Sequence, residues 1–166
     1  MNTQKVYKQT TLSTAIFISM HYQPIEYALG MRFVLLHHTG WPDHSDHFDL
    51  MLQTDAGEND ERRVLKTFST VADVFPTGER STGDSGGDLN VFRLGPPHRR
   101  AYLKFEGPVT ENRGVVVRID EGELDFVTTT RPGRDEIVVR LIGVRLKGEF
   151  RFVPTDEGLF RFEKIR

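Results

Sequence analysis

The C-terminal half of the chain is a series of short strand-like segments set apart by glycine and proline, and this punctuation restricts the fold more than any other feature. Segments 114–120, 123–130, 136–142, 145–153 and 159–164 are rich in Val, Ile, Leu and Phe, with Glu121-Gly122, Arg131-Pro-Gly-Arg134 and Gly143 between them. Strands this short bury enough apolar surface only by joining one antiparallel system that curls or packs on itself, so an all-β barrel or sandwich is expected. In Val138-Val-Arg-Leu-Ile142 and Arg145-Leu-Lys-Gly-Glu-Phe-Arg-Phe152 polar and apolar residues mostly alternate. One face then packs inward, and the other presents Arg140, Arg145, Lys147 and Arg151 to solvent.

Upstream, Phe33–Leu36, Phe48–Thr54, Arg63–Phe68, Asn90–Leu94 and Ala101–Phe105 also read as extended. The polar stretch Asp55–Asp60 would join two of them into a hairpin, and Gly107-Pro108 marks a turn. Ser69–Phe75 reads as a short helical or extended connection, and Pro76–Asp88, with four glycines, as a surface loop. Residues 1–30 show no sustained periodicity and are expected to form a flexible arm outside a folded domain spanning 31–166.

Chemistry concentrates between the first two upstream segments, where His37, His38, His44 and His47 gather four of the six histidines. Strand alternation in His47-Phe48-Asp49-Leu50-Met51-Leu52 sends His47, Asp49 and Met51 to one face and Phe48, Leu50 and Leu52 to the other. The imidazole and the carboxylate then start about 7 Å apart, two residues at roughly 3.3 Å rise, close enough to converge on one divalent cation. A third donor from the preceding strand end, His38 or His37, completes two histidines and a carboxylate with open positions, a set that suits Mn, Fe or catalytic Zn. Gly40-Trp41-Pro42 would turn the chain back. The competing reading is a hairpin whose loop histidines are simply solvated.

Composition narrows the chemistry. The chain has no cysteine, so disulfide and thiolate chemistry are excluded and His, Asp and Glu are left as metal ligands; a cytoplasmic setting is expected. With 22 basic against 24 acidic residues, contact with nucleic acid has to come from a local patch. No apolar run is long enough to span a membrane. A second cluster, Pro97-His-Arg-Arg-Ala-Tyr-Leu-Lys-Phe-Glu-Gly107, sets His98 four residues before Tyr102. Such a pair near a metal binds a phosphoryl oxygen and shuttles a proton, and Arg99 and Arg100 add charge that favours phosphate. An exposed basic loop is the alternative for His-Arg-Arg.

Taken in order, Phe33-Val-Leu-Leu-His-His38, His47-Phe-Asp-Leu-Met-Leu52, His98-x-x-x-Tyr102, Phe105-Glu-Gly107 and Leu141-x-Gly-x-Arg-Leu-x-Gly148 resemble the 3'-phosphoesterase domain of bacterial DNA ligase D. The resemblance covers about residues 32–153 and suggests a stand-alone member. It implies a small, closed or nearly closed β-barrel of about eight strands, with a few short helical segments and a crescent groove. It also implies Mn2+, or Zn2+ or another divalent cation, on His38, His47 and Asp49, with His98 and Tyr102 at the phosphate. The implied activity trims 3' ends of DNA or RNA-DNA primer strands in repair and non-homologous end joining, leaving a hydroxyl for a separate DNA ligase or polymerase. A monomer is expected.

Departures matter. The gap from His38 to His47 is longer than in the family, and Met51 and Gln53 stand where the family has an arginine and a glutamate. A second family arginine, upstream of His-x-x-x-Tyr, has no clear match, and Arg93 is the candidate for its place. An alternative function follows: a catalytically weakened module that keeps the barrel and binds nucleic-acid ends or a repair partner.

Overall fold

Alternation along the strands sorts side chains onto two faces, and in β1 and β2 both faces are buried. The structure, a computed structural model, describes residues 30–71, 91–127 and 136–165. Its strands are β1 (Arg32–Thr39), β2 (His47–Gln53), β3 (Leu65–Thr70), β4 (Val91–Leu94), β5 (Gly107–Pro108), β6 (Val115–Val127), β7 (Ile137–Ile142), β8 (Lys147–Pro154) and β9 (Leu159–Lys164). Eight of them close an antiparallel barrel in the order β1-β2-β3-β4-β9-β8-β7-β6, with β6 pairing back onto β1; β5 is an extra strand on β6. A single 3-10 turn, Arg100–Leu103, is the one helical element among the described residues. The expected all-β barrel is therefore present.

Phe33 and Leu35 from β1, Leu50 and Leu52 from β2, and Phe68, Phe150, Phe152 and Phe162 fill the barrel interior, all at most 1 % exposed. Stacked pairs such as Phe68–Phe152, with ring centroids 4.0 Å apart, give that core its aromatic centre. The outward face of the same strands is not left to water. Val34, Leu36, Met51 and Leu65 form a second apolar cluster with Leu103 and Val116, against which Tyr102, Phe105 and Val109 pack. The segment carrying the 3-10 turn thus caps one side of the barrel. It is anchored by an isolated bridge in which Leu65 and His98 exchange backbone hydrogen bonds of 3.0 and 2.9 Å.

Three expectations need correction. Glu121-Gly122 does not separate two strands: β6 runs through it, with a bulge where Leu35 pairs with Asp120 and Leu36 with Arg118. Gly122 sits there because a Cβ would lie 2.1 Å from the Ile142 carbonyl oxygen, so close approach to β7 and not a turn requires glycine. Ala101–Phe105 is not extended, since most of it lies in the 3-10 turn, and Gly107-Pro108 is strand β5 rather than a turn. The charged outer face of β7 and β8 is paired across strands as well as solvated, with Arg140 on Glu149 at 2.9 Å and Arg151 on Glu163. Ser69 and Thr70 close β3 in extended form. The 1–29 arm, the Pro76–Asp88 loop and the Arg131–Arg134 turn lie outside the described residues. No helix among the described residues is long and apolar enough to cross a membrane.

Candidate metal centre and its cavity

The register of three strands builds the centre. His38 on β1 lies directly opposite His47 on β2, and Asp49, two residues along the same face, lies opposite Ser69 on β3. Directly opposed residues have Cβ atoms roughly 4.5–5.5 Å apart. One potential ligand atom from each of His38, His47 and Asp49 falls within 4.8 Å of the others. A one-residue slip of β1 against β2 would disperse the group.

The hairpin between them explains which histidines face this point. His44 N–H closes a turn on the Trp41 carbonyl at 3.2 Å, and the longer loop is held by Gly40 N–H donating to Asp46 Oδ1 at 2.9 Å. His37 points into the barrel end and stacks on Phe48, ring centroids 4.3 Å apart, so His38 and not His37 joins the cluster. His44 stacks on Trp41 at 3.8 Å.

Each member has one polar atom engaged by a neighbouring group. His38 Nε2 donates to the Arg113 carbonyl at 2.5 Å and His47 Nδ1 to the Ser45 carbonyl at 2.9 Å, while Ser69 Oγ donates to Asp49 Oδ1. A carbonyl only accepts, so each of these ring nitrogens carries a hydrogen and the other nitrogen of the ring is the one able to ligate once it is unprotonated. In His47 that nitrogen is Nε2, which lies 3.6 Å from Asp49 Oδ2. Metal-binding histidines characteristically hand their second N–H to a carbonyl, and ligating carboxylates accept an outer hydrogen bond. Two imidazoles and a carboxylate with these partners fit a divalent cation of the Mn or Zn type and leave coordination positions for water or substrate.

The electrostatics agree with the geometry. The Asp49 carboxylate holds the His47 imidazole above its usual pKa, helped by the Ser45 carbonyl, although partial burial opposes it. Burial pushes the Asp49 carboxyl up, but His47 and the Ser69 hydroxyl together bring it below the ordinary carboxylate value.

The cluster lines a cavity of about 230 Å³ together with His98, Tyr102, Val109 and Arg113. His98 Nδ1 lies 2.8 Å from Thr67 Oγ1, which in turn donates to the Leu65 carbonyl, and 3.1 Å from the Pro96 carbonyl. Nδ1 therefore carries the hydrogen, and Nε2 keeps its lone pair. Burial lowers the His98 pKa, so the ring is neutral near neutral pH and able to accept a proton. Tyr102 meets it edge-on, centroids 5.3 Å apart.

The expected cations fare differently. Arg100 is tied to Asp60 and to the Glu58 carbonyl, and it does not line the cavity. Arg99 pairs with Glu61 at 3.0 Å. Arg93, exposed and opposite Ser69 in the sheet, is not among the lining residues either. Among the described residues, Arg113 is the one lining residue that carries a permanent positive charge. It was missed by the motif reading, as were Ser69, Thr67 and Trp41, because only the fold brings them here. Gly114 gives the sequence-level hint for Arg113: at φ +79° its Cβ would lie 2.1 Å from the Thr39 carbonyl oxygen, so only glycine lets residue 113 reach His38.

No family model matches the chain, and no curated protein matches it either.

Proposed function

We propose that this protein is a divalent-metal-dependent phosphoesterase acting on 3' ends of nucleic-acid strands, with His38, His47 and Asp49 holding the ion. The observation that carries the reading is convergence: donors from β1 and β2 meet in a cavity that His98 and Tyr102 also line. The resemblance to the 3'-phosphoesterase domain of DNA ligase D involves the same five positions. A bound Mn2+ would supply Lewis acidity to a phosphoryl oxygen and acidify a water. The chain's own groups do the rest. Arg113 would hold phosphate charge, and the Tyr102 hydroxyl would donate to a phosphoryl oxygen. The His98 Nε2 lone pair would take the proton of the attacking water as its oxygen bonds to phosphorus. As the bond from phosphorus to the 3' oxygen breaks, the same ring would return a proton to that oxygen.

One observation favours the weaker alternative. Met51 is 1 % exposed among Val34, Leu36 and Leu65, where the resembled family carries an arginine, so a nucleic-acid-end or repair-partner binding module is the second reading.

Incubating the protein and Mn2+ with a primer ending in a 3'-phosphate, or in one ribonucleotide, should yield a 3'-hydroxyl end, and His47→Ala should not. Equal silence from both proteins, with the primer still bound, would favour the module.

A further inference from the structure

The cavity at the donor cluster adjoins a larger groove of about 570 Å³, within the size range of ligand sites, and Trp41, Pro96, His98, Tyr102 and Arg113 line both. What the groove adds is charge: among the described residues, Arg63 and Arg99 join Arg113, against one carboxylate, Glu61. That excess is local, because the chain as a whole carries a net charge of -2.

The three guanidiniums are not equivalent. Arg99 is neutralised by Glu61 at 3.0 Å. Arg113 is steadied by the Thr110 carbonyl and hydroxyl at 3.0 and 3.2 Å, with the largely exposed Glu111 at 3.6 Å as its one counter-charge among the described residues. Arg63 donates from Nη1 to the Pro97 carbonyl at 3.1 Å and has no ion pair among the described residues. A guanidinium oriented by a neutral carbonyl keeps its full charge and its remaining N–H groups, the state in which arginine grips a phosphate through two oxygens.

We infer that this groove is a second anion site, taking the phosphodiester next to the reacting phosphate, with Arg63 as its main ligand and Arg113 between the two sites. The inference rests on the phosphoesterase reading and sharpens it: the preferred ligand is a strand with at least one internal phosphodiester, not a mononucleotide. Arg63 acts as a positioning residue, for strand binding rather than for chemistry.

The test uses the full chain with Mn2+ and two probes: a fluorescein-labelled oligodeoxynucleotide ending in a 3'-hydroxyl, which offers phosphodiesters but no terminal phosphate, and a nucleoside 3'-monophosphate. Arg63→Gln should weaken oligonucleotide binding about tenfold and lessen the steepness of log K against log salt by about 0.7, the single-strand value for one phosphate contact. Mononucleotide binding should stay as in the wild type, and Arg63→Lys should restore most of the strand affinity. The inference is overturned if the wild type binds no oligonucleotide, if Arg63→Gln binds it with unchanged affinity and salt slope, or if the variant weakens both probes alike. Strand binding that depends on Arg63, without hydrolysis of any 3'-phosphate, would leave the groove standing and remove the phosphoesterase.

Discussion

Replacing Ser69 by alanine removes one oxygen from the rear of the candidate metal centre. The Ser69 hydroxyl donates to Asp49 Oδ1 from the directly opposed position on β3, which orients the carboxylate so that Oδ2 faces His47 Nε2 at 3.6 Å. Without it the carboxylate can rotate, and it loses one of the groups that hold its pKa down. Outer partners of this kind are worth about 10–100-fold in metal affinity, or about 1.4–2.8 kcal/mol. The folded state should lose less, about 1 kcal/mol, because water in an open cavity can replace the hydroxyl. Calorimetric titration with Mn2+ at pH 7.5, alongside urea unfolding of the metal-free proteins, separates the two effects, and Ser69→Thr should retain the wild-type affinity. If Ser69→Ala binds Mn2+ within about threefold of the wild type, a range well below the 10–100-fold expected of such a partner, the outer hydrogen bond does not organise the site and the argument fails.

Asp120 should matter for stability and not for metal. Its carboxylate, 5 % exposed, accepts backbone N–H bonds from Glu121, Val144, Arg145 and Leu146 at 2.7–3.0 Å, clasping the turn between β7 and β8 to β6. Asp120→Ala leaves the buried Leu146 N–H without its acceptor and removes charge-assisted bonds to the rest, for a loss of about 3 kcal/mol in urea unfolding; a loss under about 1 kcal/mol would refute the clasp. Metal affinity should also depend on pH. Because Asp49 raises the His47 pKa, the proton that a metal must displace persists above pH 6.5. Mn2+ affinity should therefore climb as pH rises above 6.5 and level off once the ring is neutral, and a flat profile between about pH 6 and 8, on either side of the ordinary histidine value, would contradict the coupling.

How much of this was legible beforehand depended on the range of the signal. Alternation in 47–52 put His47 and Asp49 on one face of β2 correctly, because a period of two needs no knowledge of neighbours. Choosing His38 over His37 needed the β1–β2 register, which the long hairpin loop hides. Gly122 looked like a turn because a glycine admitted for close backbone approach is indistinguishable in sequence from one admitted for its φ. Ala101–Phe105 looked extended because its apolar residues suit either a strand or a tight turn; the bridge of His98 to Leu65 decides the geometry from outside the segment. Ser69, Arg63 and Arg113 carry no motif at all. Their significance comes from sheet partners and cavity walls, and Met51 shows the reverse case, a motif position that the fold assigns to packing.

The central claim, that His38, His47 and Asp49 form one metal site, is tested most directly by titrating the protein with Mn2+ while electron paramagnetic resonance reports the free ion. The account predicts one ion per wild-type chain, its loss in His38→Ala, His47→Ala and Asp49→Asn alike, and its retention in Tyr102→Phe. A wild type that takes up no Mn2+, or an Asp49→Asn variant that binds it as the wild type does, would contradict it.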